Sequence, residues 1–247
     1  MRLPLREVIE ILLGMNGILL RRLSLLRLRA SVLRLGTIAI PIALYCALLA
    51  PVPRLTWAVA FFGFATLVHY VLLFGLFARG PWESWAQALI RKHGEEEGFA
   101  RGEALLAVVF CLNGLSTGYM CSVGGGLEFV PRPLALALGA VLFAIGLGTK
   151  VWATRIVSLD TYYYRDMFLG RQLGDFKAEG PYRVFRNPMY GIGHLHGYGL
   201  AIATGSLPGL LAVALNQACI WAFYALVEAP HVSQVYVSTD LQESHSM

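Results

Sequence analysis

Residues 187–227 read "NPMYGIGHLHGYGLAIATGSLPGLLAVALNQACIWAFYALV", 41 positions without one Asp, Glu, Lys or Arg. A helix that crosses a bilayer needs about 20 predominantly apolar residues, so this run is long enough for two. The GSLPG at 205–209 falls near its middle, where glycine and proline mark a turn. Two more windows, 55–78 and 104–127, are free of charge over 24 residues each. The whole chain of 247 residues is 57% apolar and 14% charged, against about 25% charged in soluble domains. An all-α, polytopic membrane protein follows, because a helix satisfies its own backbone in lipid.

Six spans are expected, at 36–52, 55–77, 104–127, 133–153, 188–205 and 207–227. The net charge of +5 is distributed as in a membrane protein rather than a nucleic-acid binder. Seven Lys/Arg precede the first span, four separate the second from the third, and six separate the fourth from the fifth. Only Arg54 and Arg132 fall on the other side, with Lys150 at the inner end of the fourth span. Positive loops stay cytoplasmic, which places both termini inside, in a bacterial inner membrane or the endoplasmic reticulum. Residues 1–35 carry an apolar stretch too short to span, together with arginines at 21, 22, 27, 29 and 34. That pattern predicts an interfacial helix on an anionic leaflet. The four cysteines all lie within expected spans and form no CxxC pair, so no metal or redox motif is indicated.

Polar groups inside a bilayer are costly and mark function, and three clusters stand out. Asn187 and Pro188 suit the cap and first position of a fifth helix, from which Tyr190, His194 and Tyr198 recur every four residues on one stripe. Arg183 and Arg186 stand just before it. Capping accounts for Asn187 and Pro188; His194 and His196, a turn or more inside, read equally as a site or as satisfied packing. Gln217, Trp221, Tyr224 and Glu228 share a face of the sixth helix. Glu228 ends that helix, the unfavourable end for an anion, so it calls for a cationic partner, either Arg186 or a ligand. Gly146 and Gly148, beside Lys150, permit close backbone approach by a ligand or by another helix. With this topology all three clusters face one cytoplasmic pocket.

"GPYRVFRNPMYGIG" followed by "VEAP" about 40 residues later resembles the carboxy-terminal region of membrane-embedded methyltransferases. The closer likeness is to the phosphatidylethanolamine N-methyltransferase family, with Asn187-Pro188-Met189-Tyr190 and Gly146-Leu147-Gly148 as its motifs; the related isoprenylcysteine carboxyl methyltransferases have His in place of Asn187. The resemblance covers residues 140–236 and implies a single domain over 36–247 with its catalytic part at 133–236. It implies S-adenosyl-L-methionine held by Gly146, Gly148, Asn187, Pro188, Tyr190 and Glu228. The second glutamate of the family's pair is Ala229 here. For N-methylation of a phospholipid headgroup, His194 and His196 are the candidate proton relays, with Glu228 as the charged partner. Lys150, Arg183, Arg186 and Tyr198 are the candidate substrate contacts at headgroup level. Methylated ammonium groups suit aromatic faces, for which Trp152 and Tyr162 to Tyr164 are candidates. Two alternatives are a carboxyl methyltransferase acting on prenylcysteine or another small lipid, and an NADPH-dependent sterol or lipid reductase. A non-catalytic carrier is a third. No metal is expected.

Overall fold

The structure is a computed structural model that describes residues 54–78, 80, 83–162, 164–173, 179–185 and 187–233. The expected interfacial segment 1–35, the expected span 36–52 and Arg186 lie outside the described residues. The helices run in the order α1 (Leu55–Phe77), α2 (Trp85–His93), α3 (Glu95–Ser122), α4 (Arg132–Tyr162), α5 (Arg165–Leu169), α6 (Leu195–Thr204) and α7 (Leu207–Phe223). Short 3-10 turns occupy Gly180–Arg183 and Ile192–His194, and α7 passes through a π-turn at Tyr224–Glu228 and continues to Ser233. Among the described residues, four helices are long and apolar enough to cross a membrane: Leu55–Phe77, Glu95–Ser122, Arg132–Val157 and Leu207–Ser233. Their outer faces carry Trp57, Phe64, Leu67 and Val71 on α1 and Leu134, Leu138, Val141 and Ile145 on α4, all exposed. Apolar patches of that extent mark a surface solvated by lipid.

The expected fifth span is corrected. In place of a helix over 188–205, residues 187–191 form tight turns, a 3-10 turn follows, and regular helix begins only at Leu195. The physical cause is in the sequence. Gly191, Gly193, Gly197 and Gly199 crowd this stretch, each costing about 1 kcal/mol of helix propensity. Asn187 does not cap the helix; its Oδ1 accepts from Tyr190 N at 3.2 Å and closes a local turn. At about 1.5 Å per residue, the ten residues of α6 are too short to span by themselves; together with the irregular 187–194 segment they run from the Glu228 end of α7 to its start at Leu207.

α6 is nevertheless held firmly. Gly139 on α4 meets Ala203 and the Gly199 carbonyl, so a methyl group there has no room, and Gly146 abuts the backbone of Leu195 and His196. Small residues let the two backbones approach closely. At the far end of α6, Gly205 adopts φ 72° and Ser206 Oγ accepts from Gly209 N at 2.9 Å to start α7. The Ser206 hydroxyl donates to Val123 O at 2.6 Å, and Leu207 N donates to Gly125 O at 2.9 Å, stitching this turn to the α3–α4 connection. The turn read at 205–209 is thus observed.

The opposite end closes around Phe168 of α5, fully buried with Leu73, Leu76, Phe77, Phe99, Leu106 and Phe223. Its ring lies where a side chain at Gly102 would be. Arg165–Glu96 and Arg171–Glu95 ion pairs, each 2.7 Å, pin the same segment to the first turn of α3. Exposed pairs contribute about 0–1 kcal/mol each, whereas burying a phenylalanine contributes about 1.5–3 kcal/mol. Phe168 therefore sets the position of α5, and with it that of Tyr164.

Candidate functional site

Where the fifth helix is missing, a cavity of about 250 Å³ opens between α1, α3, α4, α6 and α7. Irregular backbone at membrane depth is tolerated only if buried in protein or lining a cavity, with its polar groups satisfied. Here the carbonyls of Asn187, Pro188, Tyr190 and Gly191 each meet a donor. Gly191 N donates to Asn187 O at 3.1 Å and Gly193 N to Pro188 O at 2.8 Å, while His194 N donates to Gly191 O at 3.0 Å. Gln217 Nε2, reaching from α7, donates to Tyr190 O at 2.9 Å and Gly191 O at 3.3 Å.

Those turns aim Tyr190, His194 and His196 into the cavity, and Lys150 of α4 joins them from the facing wall. The Lys150 stem lies across Gly193, whose missing side chain makes the room. The two imidazoles are 6.3 Å apart between ring centres. His196 Nδ1 is 2.5 Å from Gly193 O; a carbonyl only accepts, so Nδ1 carries the proton and Nε2 keeps its lone pair. His194 Nδ1 is buried without a hydrogen-bond partner.

Tyr190 continues the site out of the cavity. Its hydroxyl donates to Glu228 Oε2 at 2.8 Å. A hydroxyl has one proton, so the Tyr164 hydroxyl, 2.7 Å away, is the donor to Tyr190. Tyr164 sits at φ 59°, a non-glycine residue in the left-handed region, and such backbone outliers cluster at functional sites. Among the described residues Glu228 has no ion-pair partner. A half-buried carboxylate whose neighbour is a neutral phenol is a seat for a cationic group. Outside the spans, the Tyr182 phenol is pushed up by burial and then by the charge of Glu228.

The sequence-derived residues are thus distributed as follows. Lys150, Tyr190, His194 and His196 line the cavity, and Glu228 joins it through Tyr190. Asn187 and Pro188 frame the turn beneath. Gly146 stands behind His196, packed on its backbone, while Gly148 has open space around it. Tyr198 is not on the cavity; its hydroxyl donates to Gln217 Oε1 at 2.7 Å. Arg183 is exposed. Among the described residues no group of three or more His, Cys, Asp or Glu could hold a metal.

Sequence reasoning missed the opposite wall. His69, Tyr70, Phe110, Asn113 and Asn216 also line the cavity. The Tyr70 hydroxyl lies 2.9 Å from Asn216 Oδ1, Asn113 Nδ2 donates to the same oxygen at 3.0 Å, and Thr66 Oγ1 donates to Asn113 Oδ1 at 3.4 Å. The signal was available: Thr66, His69 and Tyr70 interrupt one uncharged window and Asn113 another, and polar groups at such depth are rarely idle.

Comparison with known proteins bears on the second half of the chain. The phospholipid methyltransferase family matches residues 134–239. The phosphatidylethanolamine N-methyltransferase of Malassezia globosa is 38% identical over 112 residues, 45% of this chain and 11% of that protein. That of Schizosaccharomyces japonicus is 31% identical over 112 residues, 45% of this chain and 12% of that protein. That of Kluyveromyces lactis is 29% identical over 110 residues, 44% and 13%. The match therefore spans about an eighth of these much longer relatives. No solved structure matches the chain. By that family match and these relatives, the carboxy-terminal part of the chain, residues 134–239, is similar to the phospholipid methyltransferase family.

Proposed function

We propose that this chain methylates the amine of phosphatidylethanolamine, or of its mono- and dimethyl forms, with S-adenosyl-L-methionine as the methyl donor. The observation that carries this is the single cavity in which Lys150, Tyr190, His194 and His196 converge, with Glu228 one hydrogen bond behind Tyr190. When bound, S-adenosylmethionine supplies a methyl carbon on a sulfonium sulfur, which leaves as a neutral thioether as the amine lone pair takes the carbon.

The residues fit such a donor because Glu228, with no ion-pair partner among the described residues, offers a carboxylate to a cationic ligand. Tyr190 and Glu228 would hold that donor, with Asn187 and Pro188 shaping the floor. Gly148 leaves its surroundings open. Gly146 serves by letting His196 stand where it does.

The acceptor nitrogen must lose a proton before it can attack. His196 Nε2 holds a free lone pair on the cavity and takes that proton, and His194 beside it passes it on. Lys150 faces the headgroup phosphate, and Arg183 and Arg186 attract it at the surface. Holding donor and acceptor in one cavity supplies the remaining advantage through orientation. By the loop charges, the cavity mouth is cytoplasmic and both termini are inside, with residues 1–35 on the leaflet and the single domain at 36–247.

Incubating membranes that contain the chain with methyl-labelled S-adenosylmethionine tests this. Label appears in the lipid amine fraction and is absent in the Glu228→Gln variant. Label in a lipid carboxyl ester instead would transfer the activity to the carboxyl class.

A further inference from the structure

The wall built by α1 and α3 is unassigned, since residues 54–122 lie outside the family match at 134–239. Its most specific member is His69, 6% exposed in the middle of an uncharged span. Its Nδ1 is 3.3 Å from Val109 O and so donates there, which leaves Nε2 with a lone pair and, among the described residues, no hydrogen-bond partner. Phe110 stacks on the imidazole with ring centres 5.1 Å apart and planes 24° apart. Tyr164 meets Phe110 edge-on at 6.5 Å. Among the described residues no Asp or Glu lines the cavity, so a cation entering it meets aromatic faces and lone pairs rather than a carboxylate. Lys150 stands among the lining residues on the α4 side and repels an ammonium while attracting a phosphate. The cavity is therefore polarised, cationic on one side and π-rich on the other.

From this polarity we infer that His69, Tyr70 and Phe110 form the subsite for the acceptor amine of a zwitterionic lipid headgroup, an inference that rests on the methyl-transfer reading above. His69 Nε2 accepts an N–H of the incoming ammonium. The Phe110 and Tyr70 rings take up the methyl groups as they accumulate, by cation–π attraction. Asn113 and Asn216 hold the Tyr70 hydroxyl, and so the ring, in place. The two contacts have opposite dependences on methylation. A primary ammonium relies on His69; a trimethylammonium has no N–H to give and relies on the rings.

The test uses the full chain purified in detergent, with three soluble lipids as probes: dihexanoyl phosphatidylethanolamine, phosphatidylcholine and phosphatidylglycerol. Direct binding is measured alongside binding of S-adenosylhomocysteine. Phe110→Leu is expected to weaken phosphatidylcholine about tenfold, by the size of a desolvated cation–π contact. It should leave phosphatidylglycerol and S-adenosylhomocysteine unchanged, and Phe110→Tyr should restore the loss. His69→Gln is expected to weaken phosphatidylethanolamine while sparing phosphatidylcholine, a split that general loosening of the helix pair cannot produce. Equal effects on all three lipids, or none on any, would overturn the assignment. A wild-type chain that binds choline lipid with this selectivity yet transfers no methyl group would leave the subsite standing and sink the methyl-transfer reading.

Discussion

Tyr190 and Glu228, 38 positions apart in sequence, share a hydrogen bond of 2.8 Å at the junction between the irregular 187–194 segment and the carboxy-terminal end of α7. It is the joint through which the acid reaches the cavity. Tyr190→Phe removes the donor and leaves the carboxylate without it, a change of about 1.5–3 kcal/mol for a bond to a charged group. Affinity for S-adenosylhomocysteine should fall about tenfold or more, and Glu228→Gln should lower it further. Titration of detergent-purified variants measures both. Unchanged affinity in both variants would remove Glu228 from the donor site.

The two glycines of Gly146-Leu147-Gly148 should behave differently. An alanine methyl at Gly146 runs into the Leu195 and His196 backbone, whereas nothing lies near one at Gly148. Overpacking against unyielding backbone costs about 1–3 kcal/mol, so Gly146→Ala should lower the thermal midpoint and the activity together. Gly148→Ala should leave the midpoint unchanged; a fall in S-adenosylhomocysteine affinity at constant stability would assign Gly148 to the ligand.

Gln217 is the clamp on the missing span. It bonds two carbonyls of the turn and receives the Tyr198 hydroxyl. Gln217→Leu leaves the Tyr190 carbonyl unmet and takes one of two donors from that of Gly191, at about 1–3 kcal/mol for a buried unsatisfied group, and should release Tyr190. Tyr198→Phe loses only one bond, about 0.5–1.5 kcal/mol, and should leave lipid KM unchanged because Tyr198 does not reach the cavity. Paired unfolding and kinetic measurements separate the two variants.

At the other end of the molecule, Glu128 accepts from Gly126 N at 2.9 Å in the turn joined to α6–α7. Its own backbone N–H and that of Gly126 hold its carboxyl below the ordinary value. A carboxylate depressed in the folded state contributes stability above its unfolded pKa of about 4.3. That contribution disappears as pH falls through the folded value. Glu128→Gln should therefore be less stable than wild type at pH 7, and the two midpoints should converge on acidification.

Much of this was legible in the sequence, for physical reasons that differ by element. Charge-free windows gave α1, α3 and α7, because lipid leaves no alternative to helix. GSLPG gave the turn at 205–209 through backbone chemistry alone. The fifth span misled, since its hydropathy is that of a spanning helix while its glycines and Gln217 favour turns. Hydropathy does not register that competition. The His69–Tyr70–Asn113–Asn216 wall was not assembled because its bonds join positions up to 146 apart. No local pattern encodes which polar residues on three helices will meet.

The most direct measurement of the central claim is lipid mass spectrometry of a host that lacks phosphatidylcholine, with and without this chain. Mono-, di- or trimethylated phosphatidylethanolamine should appear with the wild-type chain and be lost with Glu228→Gln at equal expression. An unaltered phospholipid profile, with the wild-type chain folded in the membrane and binding S-adenosylhomocysteine, would contradict it.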